Sequence, residues 1–246
     1  MEKPSINDLE SWIQDCVAYL RDSGGFEVHE AHANEFLLLF GLAGRTVRYS
    51  DAFLLLAHSE HMSEAIPLAR TALEHAITLQ WVFIVSGGAN RFRVDVEHDR
   101  LTHYTTLAKW LESDELAGEV AKLSPPPEGK RMPKFGTMLR ELDTGNYLAT
   151  TYHILSQHVH VTHAAVTSFL QPGEDEQMAL NYDQDYPYPY QATYAVAAAC
   201  MLARWVIAKL TNDTELLEAL DQASDRLILP MNLMEQIPSE YRRRGL

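Results

Sequence analysis

Apolar residues recur every three or four positions along most of the chain, and this is the spacing of one face of an α-helix. No segment keeps the strict alternation that is typical of a half-buried strand. The first helical run follows Ser5, with Asp8 three residues later as in a capping box, and it stops at Gly24. The pattern predicts an all-α fold, a mainly antiparallel helical bundle of about seven to nine helices.

Individual residues mark several of the predicted helix ends. Ser63 can cap the third helix, because Pro67 would then lie in the first turn, where proline is tolerated. Asn146 can cap the helix that contains residues 152–169. We expect helices over residues 6–23, 28–58, 63–86, 90–112, 114–123, 134–142, 147–169, 190–210 and 214–223.

Two segments interrupt this helical pattern. Residues 124–133 contain three consecutive prolines, which forbid a helix and favour an extended link. Residues 172–191 form an acidic, tyrosine-rich loop of a length that often covers a site or an interface. We expect a single helical domain over residues 1–246. Its parts are an N-terminal helix, a core bundle, C-terminal helices and a loose tail, at residues 1–25, 28–170, 190–224 and 225–246.

Four of the eleven histidines lie within the predicted helix that contains residues 152–169. At helical spacing, polar side chains from this segment share one face, and apolar residues occupy the other faces. This arrangement places the polar row at or near the protein interior. The row consists of Tyr152, Ser156, His160 and His163.

Arg70 and Glu74 lie four residues apart on the third predicted helix, between apolar neighbours such as Leu68 and Leu73. Buried charges need partners and hydrogen bonds. One interpretation is a structural ion pair that fixes the register of the helix. The other is a catalytic site in which the pair meets His160, so that the carboxylate orients the histidine or accepts its proton and the guanidinium holds an anion.

Histidine and serine spacing allows two further kinds of site. His160 and His163 are three residues apart and could offer two ligands to a divalent transition metal, although the Glu-x-x-His pairs of di-iron bundles are absent. Ser156 lies one helical turn before His160, but no glycine elbow accompanies this candidate nucleophile. The main prediction is therefore no cofactor, with the metal at these two histidines as the alternative.

Composition limits the range of partners and compartments. A formal net charge of −14 disfavours broad attraction to nucleic acid or to an anionic membrane. Cys16 and Cys200 lack the spacing of metal ligands and suit two reduced cysteines. The segment MEKPSINDLE has no apolar region, and no run reaches the roughly 18 apolar residues of a membrane helix. The sequence predicts a soluble cytoplasmic protein that does not bind membranes.

The chain resembles a bacterial all-helical family of unknown function at residues 68–74 and 152–160. Members of that family pair a Leu-x-Arg-x-x-x-Glu helix with a later Tyr-x-x-x-Ser-x-x-x-His helix. The matching residues here are Arg70 and Glu74, followed by Tyr152, Ser156 and His160. The resemblance covers roughly residues 28–170. It implies a helical bundle and no established activity.

The helix with Ser156 and His160 is more distantly similar to the last helix of the HEPN domain (higher eukaryotes and prokaryotes nucleotide-binding). Ribonuclease members of that family carry an arginine four to six residues before a histidine, whereas Ser156 stands four residues before His160 here. The resemblance implies metal-independent RNA cleavage through the RNA's own 2′-hydroxyl. His160 would be the general acid or base, and Arg70 would supply the missing guanidinium from across the bundle.

Three classes of function follow from these observations. The main prediction is a non-catalytic binding or structural module with a buried Arg/Glu/His cluster, homodimeric and able to bind a protein partner through the acidic loop or a helix face. The first alternative is a HEPN-like ribonuclease or nucleotide-binding effector in a toxin or defence setting, with RNA or a nucleotide as ligand. The second is a metal-dependent helical-bundle enzyme. The sequence leaves open whether the chain is an enzyme.

Overall fold

The structure, a computed structural model, describes residues 3–172, 178–182 and 185–244. Within these ranges the chain forms ten α-helices and a small antiparallel sheet of two strands, which confirms the all-α bundle. The helices are α1 Ile6–Asp22, α2 Ala33–Ala57, α3 Met62–Ile84, α4 Gly88–Trp110, α5 Asp114–Ala121, α6 Phe135–Leu142, α7 Tyr147–Gln157, α8 His163–Thr167, α9 Pro189–Thr211 and α10 Thr214–Leu227. The strands are β1 Leu170–Pro172 and β2 Met178–Leu180. Short 3-10 turns lie at Glu30–His32, Met234–Gln236 and Ser239–Tyr241.

Helix α1 begins with the capping box that the sequence predicted. The Ser5 hydroxyl accepts a hydrogen bond from the Asp8 amide at 3.2 Å, and the Asp8 carboxylate accepts one from the Ser5 amide at 2.9 Å. Helix α1 packs against α2 and α9, and the Trp12 indole donates to the carbonyl of Ala197 on α9 at 3.1 Å. Cys16 and Cys200 are both buried in this region and form no disulfide bond.

Helices α3 and α9 form the centre of the bundle. Both are apolar on nearly all sides in their second halves, so each must be surrounded by other elements. They pack against each other, and α2 contacts both. Helix α9 is long and apolar enough to cross a membrane by length and composition, and 83% of that window is buried inside the fold, as in a core helix.

The two ends of α3 differ in how well the sequence predicted them. The helix begins at Met62, so Pro67 is its sixth residue rather than part of the first turn, and the predicted cap at Ser63 is wrong. The predicted stop is confirmed. Gly87 has a φ of 75°, and a Cβ on Gly88 would lie 2.4 Å from the carbonyl oxygen of Val82.

The continuous helix predicted over residues 152–169 is wrong. Helix α7 ends at Gln157, a turn follows, and the short helix α8 begins at His163. Two features of Thr162 explain the break. Its hydroxyl accepts a hydrogen bond from the Ala165 amide at 3.2 Å, which caps α8, and it also donates to the carbonyl of Gln157. The β-branched residues Val159 and Val161 in the turn weaken any helix there.

Two segments predicted to lack regular structure are ordered in part. The predicted long loop contains β2, with Leu170 opposite Leu180, while residues 173–177 and 183–184 of that loop lie outside the described ranges. The terminal segment is not loose up to residue 244. Arg242 forms a β-bridge with Val85, and the Arg243 amide donates to the carbonyl of Ile84 at 2.7 Å.

Candidate functional site

Side chains from α3 and α7 meet in one cluster at the edge of the bundle. Arg70 donates through Nε to the hydroxyl of Ser156 at 3.0 Å and through Nη2 to the hydroxyl of Tyr152. The same Nη2 lies 3.5 Å from Glu74 Oε2, and the Tyr152 hydroxyl donates to that oxygen at 3.2 Å. We call Arg70, Glu74, Tyr152 and Ser156 the α3–α7 cluster.

Helical spacing explains why these four side chains reach one another. Arg70 and Glu74 are four residues apart on α3, and Tyr152 and Ser156 are four residues apart on α7, so each helix presents a pair on one face. The Ser156 hydroxyl also donates to the Tyr152 carbonyl of its own helix at 2.7 Å. Packing fixes the tyrosine ring, because its centroid lies 4.8 Å from the Arg70 guanidinium carbon and 4.7 Å from the centroid of Phe135.

The cluster is only partly shielded from water. The side chains of Arg70 and Glu74 are 19% and 35% exposed, whereas the sequence predicted a buried pair. Burial raises the pKa of Tyr152, the adjacent Glu74 carboxylate raises it further, and the Arg70 guanidinium acts in the opposite direction. The phenol is therefore protonated at neutral pH, and it can keep donating to the carboxylate.

His160 and His163 do not lie on the face that carries Tyr152 and Ser156. His160 is an exposed residue of the turn after α7, and among the described residues its imidazole has no hydrogen bond, ion pair or ring contact. His163 is the exposed first residue of α8. The structure thus brings the guanidinium, the carboxylate and the Ser156 hydroxyl together, and it places the imidazole of His160 outside this hydrogen-bonded group.

The predicted metal ligands do not fit a metal site. His160 and His163 belong to different elements, because the helix that would have aligned them is broken. No group of three or more histidine, cysteine, aspartate or glutamate side chains within residues 3–172, 178–182 and 185–244 could hold a metal ion. Two histidines alone leave at least half of a tetrahedral shell unfilled.

Sequence reasoning missed Gln80, a fully buried residue of α3. Its Nε2 donates to the carbonyl of Leu202 on α9 at 2.8 Å, and its Oε1 accepts from the amide of Leu233 at 3.1 Å. It therefore joins two distant segments to the central helix. The available signal was a glutamine inside the apolar run of residues 77–85, where an unpaired amide would be costly.

The sequence also predicted the wrong side chain as the N-terminal cap of α7. Asn146 stands at the predicted cap position with a φ of 56°, but its side chain makes no capping hydrogen bond. The carboxylate of Asp143 accepts instead from the amides of Tyr147 at 3.1 Å and Ala149 at 2.7 Å. Asp143 is buried, so it both caps α7 and ties the helix to the preceding turn.

Fold and cluster define a helical bundle whose α3 and α7 are joined by side-chain hydrogen bonds. A family model, the family of unknown function DUF5677, matches residues 36–178, which is more than half of the chain. The chain therefore belongs to this family, and the match includes the helices that carry the α3–α7 cluster. The predicted membership in a family of unknown function is confirmed. No curated protein and no solved structure matches the chain.

Proposed function

We propose that the protein is a non-catalytic helical binding module in which the α3–α7 cluster acts as a structural clamp. The observation that carries this proposal is the closed hydrogen bonding of the cluster. Arg70 and Tyr152 both bond to Glu74, and Arg70 also bonds to Ser156. Each of these side chains therefore finds its partners within the cluster, and together they join α3 to α7.

The α3–α7 clamp positions the segment of the chain that follows α7. The helix packs on α3, and its buried residues are Leu148 and Leu155. It also carries the segment made of α8 and the two strands. We call residues 158–171 and 178–182 of this segment the arm. Hydrogen bonds between α3 and α7 fix the point at which the arm leaves the bundle.

The surface of the arm supports a role in binding. None of its described residues is buried, and residues 158–171 and 178–182 contain no aspartate, glutamate, lysine or arginine, while acidic residues adjoin them in the sequence at 174–176 and 183. Exposed apolar surface without charge is typical of the centre of protein–protein interfaces. The large apolar residues exposed on the arm are Val161, Val166, Phe169, Met178, Leu180 and Tyr182.

Unfolding measurements test the clamp. Arg70→Ala removes the guanidinium that links the two helices and leaves Glu74 without its ion pair, so we expect a loss of about 1.5 kcal/mol in the free energy of unfolding. His160→Ala is the matched control on the adjacent turn, and we expect a change within about 0.5 kcal/mol. Equal effects of the two substitutions in urea titrations would contradict the proposal.

A HEPN-like ribonuclease is the second candidate, and one contact favours it. Arg70 Nε lies 3.0 Å from Ser156 Oγ, so a guanidinium from α3 stands beside the residue four positions before His160. Such a group could steady a phosphate while the exposed histidine transfers a proton. Cleavage of single-stranded RNA by the wild type, lost in both Arg70→Ala and His160→Ala, would support this function over the clamp alone. Equal cleavage by all three proteins would indicate a contaminating nuclease and count against it.

A further inference from the structure

Two cysteines lie side by side where α1 packs against α9. Cys16 is on α1, Cys200 is on α9, and each is 0% exposed. The Nη1 group of Arg204 lies 3.8 Å from the sulfur of Cys16. Arg204 also follows Cys200 by four residues on α9, and helical side chains lean toward the N-terminus, so its guanidinium is close to both sulfurs. We call Cys16 and Cys200 the thiol pair.

Arg204 has no carboxylate partner among residues 3–172, 178–182 and 185–244. It forms no ion pair there, and its Nε is buried without a hydrogen-bond partner. Its guanidinium carbon instead lies 5.2 Å from the ring centroid of Trp12 and 4.4 Å from that of Tyr19. Aromatic rings attract a cation more weakly than an anion does. A thiolate in the thiol pair would supply the negative charge that this guanidinium lacks.

The two thiols differ in how readily they lose a proton. A hydrogen bond from the Cys16 thiol lowers the pKa of Cys200, and the Arg204 charge lowers it too, although burial acts against them. Burial raises the pKa of Cys16 well above its ordinary value, so Cys16 keeps its proton. A thiolate beside a protonated thiol is the arrangement in which one sulfur reacts with an oxidant and the other completes a disulfide.

Solvent lies within one side chain of the thiol pair. Arg204 is only partly buried although it contacts Cys16. Helix α1 packs against α2 and α9, so a small outward movement of this terminal helix uncovers the sulfurs. Openings of this kind occur in folded proteins and expose buried groups for short times. Hydrogen peroxide is a suitable oxidant, because it is small and uncharged and the guanidinium does not repel it.

We propose that the thiol pair is a redox-active dithiol, which hydrogen peroxide converts into a disulfide between α1 and α9. The Cys200 thiolate attacks one peroxide oxygen, the O–O bond breaks, and the other oxygen leaves as hydroxide and takes up a proton to become water. The sulfur of Cys16 then attacks the sulfenic acid at Cys200. The S–S bond forms, the S–O bond breaks, and the oxygen leaves as a second water with the Cys16 proton. The sulfurs lose two electrons in total, and the peroxide gains them.

A disulfide at this position would tie the N-terminal helix to the central helix α9. The cross-link would restrict the unfolded chain and so stabilise the bundle under oxidising conditions. The thiol pair shares no residue with the α3–α7 cluster, and this inference therefore stands apart from the proposed function.

Thiol counting and peptide mapping of the full chain test the disulfide. After the folded wild type is treated with excess hydrogen peroxide, we expect the thiols that react in denaturant to fall from two to none. A proteolytic digest should contain one pair of peptides joined through Cys16 and Cys200, and dithiothreitol should restore both thiols. The oxidised chain should unfold at a higher urea concentration than the reduced chain.

Two matched serine variants separate the steps. Cys16→Ser retains the reactive thiolate, so we expect peroxide to give a sulfenic acid at Cys200 that dimedone traps, with no rise in the urea midpoint. Cys200→Ser should form the dimedone adduct at least about tenfold more slowly, because burial keeps the pKa of Cys16 raised.

Three results would overturn the inference. They are a folded wild type that keeps both thiols in peroxide while the chain in urea loses them, disulfides that join only separate chains, and equal dimedone labelling of the two serine variants. The thiol count and peptide map of the wild type decide the matter even where a serine variant does not fold.

Discussion

Two of the polar contacts of helix α3, ten residues apart, are of opposite kinds. Arg70 is charged, lies at the edge of the bundle and is held by side chains of α3 and α7. Gln80 is neutral, lies in the core and is held by main-chain groups of Leu202 and Leu233. The first contact resembles a functional site in the sequence, and the second is inconspicuous. We nevertheless expect the Gln80 contact to contribute more to the free energy of unfolding than the Arg70 contact.

Solvent access explains the difference between the two contacts. When a contact at the edge is broken, water can replace the lost partner, and the cost is the small net value of an exposed hydrogen bond or ion pair. When the contact in the core is broken, the main-chain amide left behind has no water to bind, so the full cost of its desolvation remains. A residue that stands out chemically in the sequence, such as Arg70, therefore need not contribute more to stability than an inconspicuous one, such as Gln80.

The largest effect is expected from Gln80→Leu. Leucine nearly preserves the volume of the side chain and removes both hydrogen bonds, so the buried amide of Leu233 loses its partner, while the carbonyl of Leu202 keeps only its bond within α9. At about 1–3 kcal/mol for an unsatisfied buried group, we expect a loss of roughly 2 kcal/mol in the free energy of unfolding, measured by urea titration.

Thr78→Val is the control for this substitution. Thr78 lies two residues earlier on α3, and its hydroxyl donates to the carbonyl of Glu74 in its own helix at 2.8 Å. Removing that hydroxyl leaves no distant segment unpaired, so we expect a change below about 1 kcal/mol. If Gln80→Leu cost no more than Thr78→Val, the contrast between core and edge would be refuted.

The next largest effect is expected from Glu74→Ala. Its comparison with a double leucine substitution distinguishes the loss of one charge of the α3–α7 cluster from the replacement of both. Glu74→Ala leaves the Arg70 guanidinium without a carboxylate, and we expect a loss of about 1.5 kcal/mol. A double substitution of Arg70 and Glu74 by leucine removes both charges and keeps apolar contact with Tyr152. We expect it to cost less than Glu74→Ala alone, since paired leucines often substitute for an ion pair. Additive losses in a double-mutant cycle would show that the two side chains act independently.

Asp143 combines features of both contacts, because its charge is buried but its partners are main-chain amides of α7. We expect Asp143→Ala to lower the free energy of unfolding by about 1 kcal/mol, the usual value of a helix cap. Asn146→Gly is the matched control at the position the sequence suggested. Its positive φ suits glycine and its side chain does not cap, so stability should stay within about 0.5 kcal/mol. A larger effect at residue 146 than at residue 143 would reverse the assignment of the cap.

Local patterns in the sequence predicted most of the helices. They could not predict the contacts between residues that are distant in the chain. The capping box at Ser5 and the stop at Gly87 depend on neighbouring residues alone. The periodicity over residues 152–169 was outweighed by the capping of α8 by Thr162, which the pattern of apolar residues does not reveal. Gln80 finds its partners 122 and 153 residues away, so no local signal identifies them.

The residues of the candidate site could be predicted only in part, because local spacing identifies the pairs on each helix but not where a helix ends. Spacing placed Arg70 with Glu74 on one face of α3 and Tyr152 with Ser156 on one face of α7, and these pairs do meet. His160 was assigned to the same face because the helix was taken to continue. The break after Gln157 moves it into a turn, so the error in one helix end became an error in the composition of the site.

The smallest expected effect is a dependence on alkaline pH that only the edge contact should show. The folded pKa of Tyr152 lies above its ordinary value of 10.0, chiefly through burial and then through Glu74. The protonated phenol therefore adds stability that is fully present below pH 10.0 and is lost as pH rises through the higher folded pKa. The stability difference between wild type and Tyr152→Phe should shrink over that range, while the difference between wild type and Gln80→Leu should stay constant, because the amide does not titrate. Urea titrations at pH 8, 9, 10 and 11, values chosen at about one-unit steps around the reference pKa, can follow both differences. If the stability difference between wild type and Tyr152→Phe stayed constant across the series, the hydrogen bond from the Tyr152 phenol to the Glu74 carboxylate would not contribute to stability.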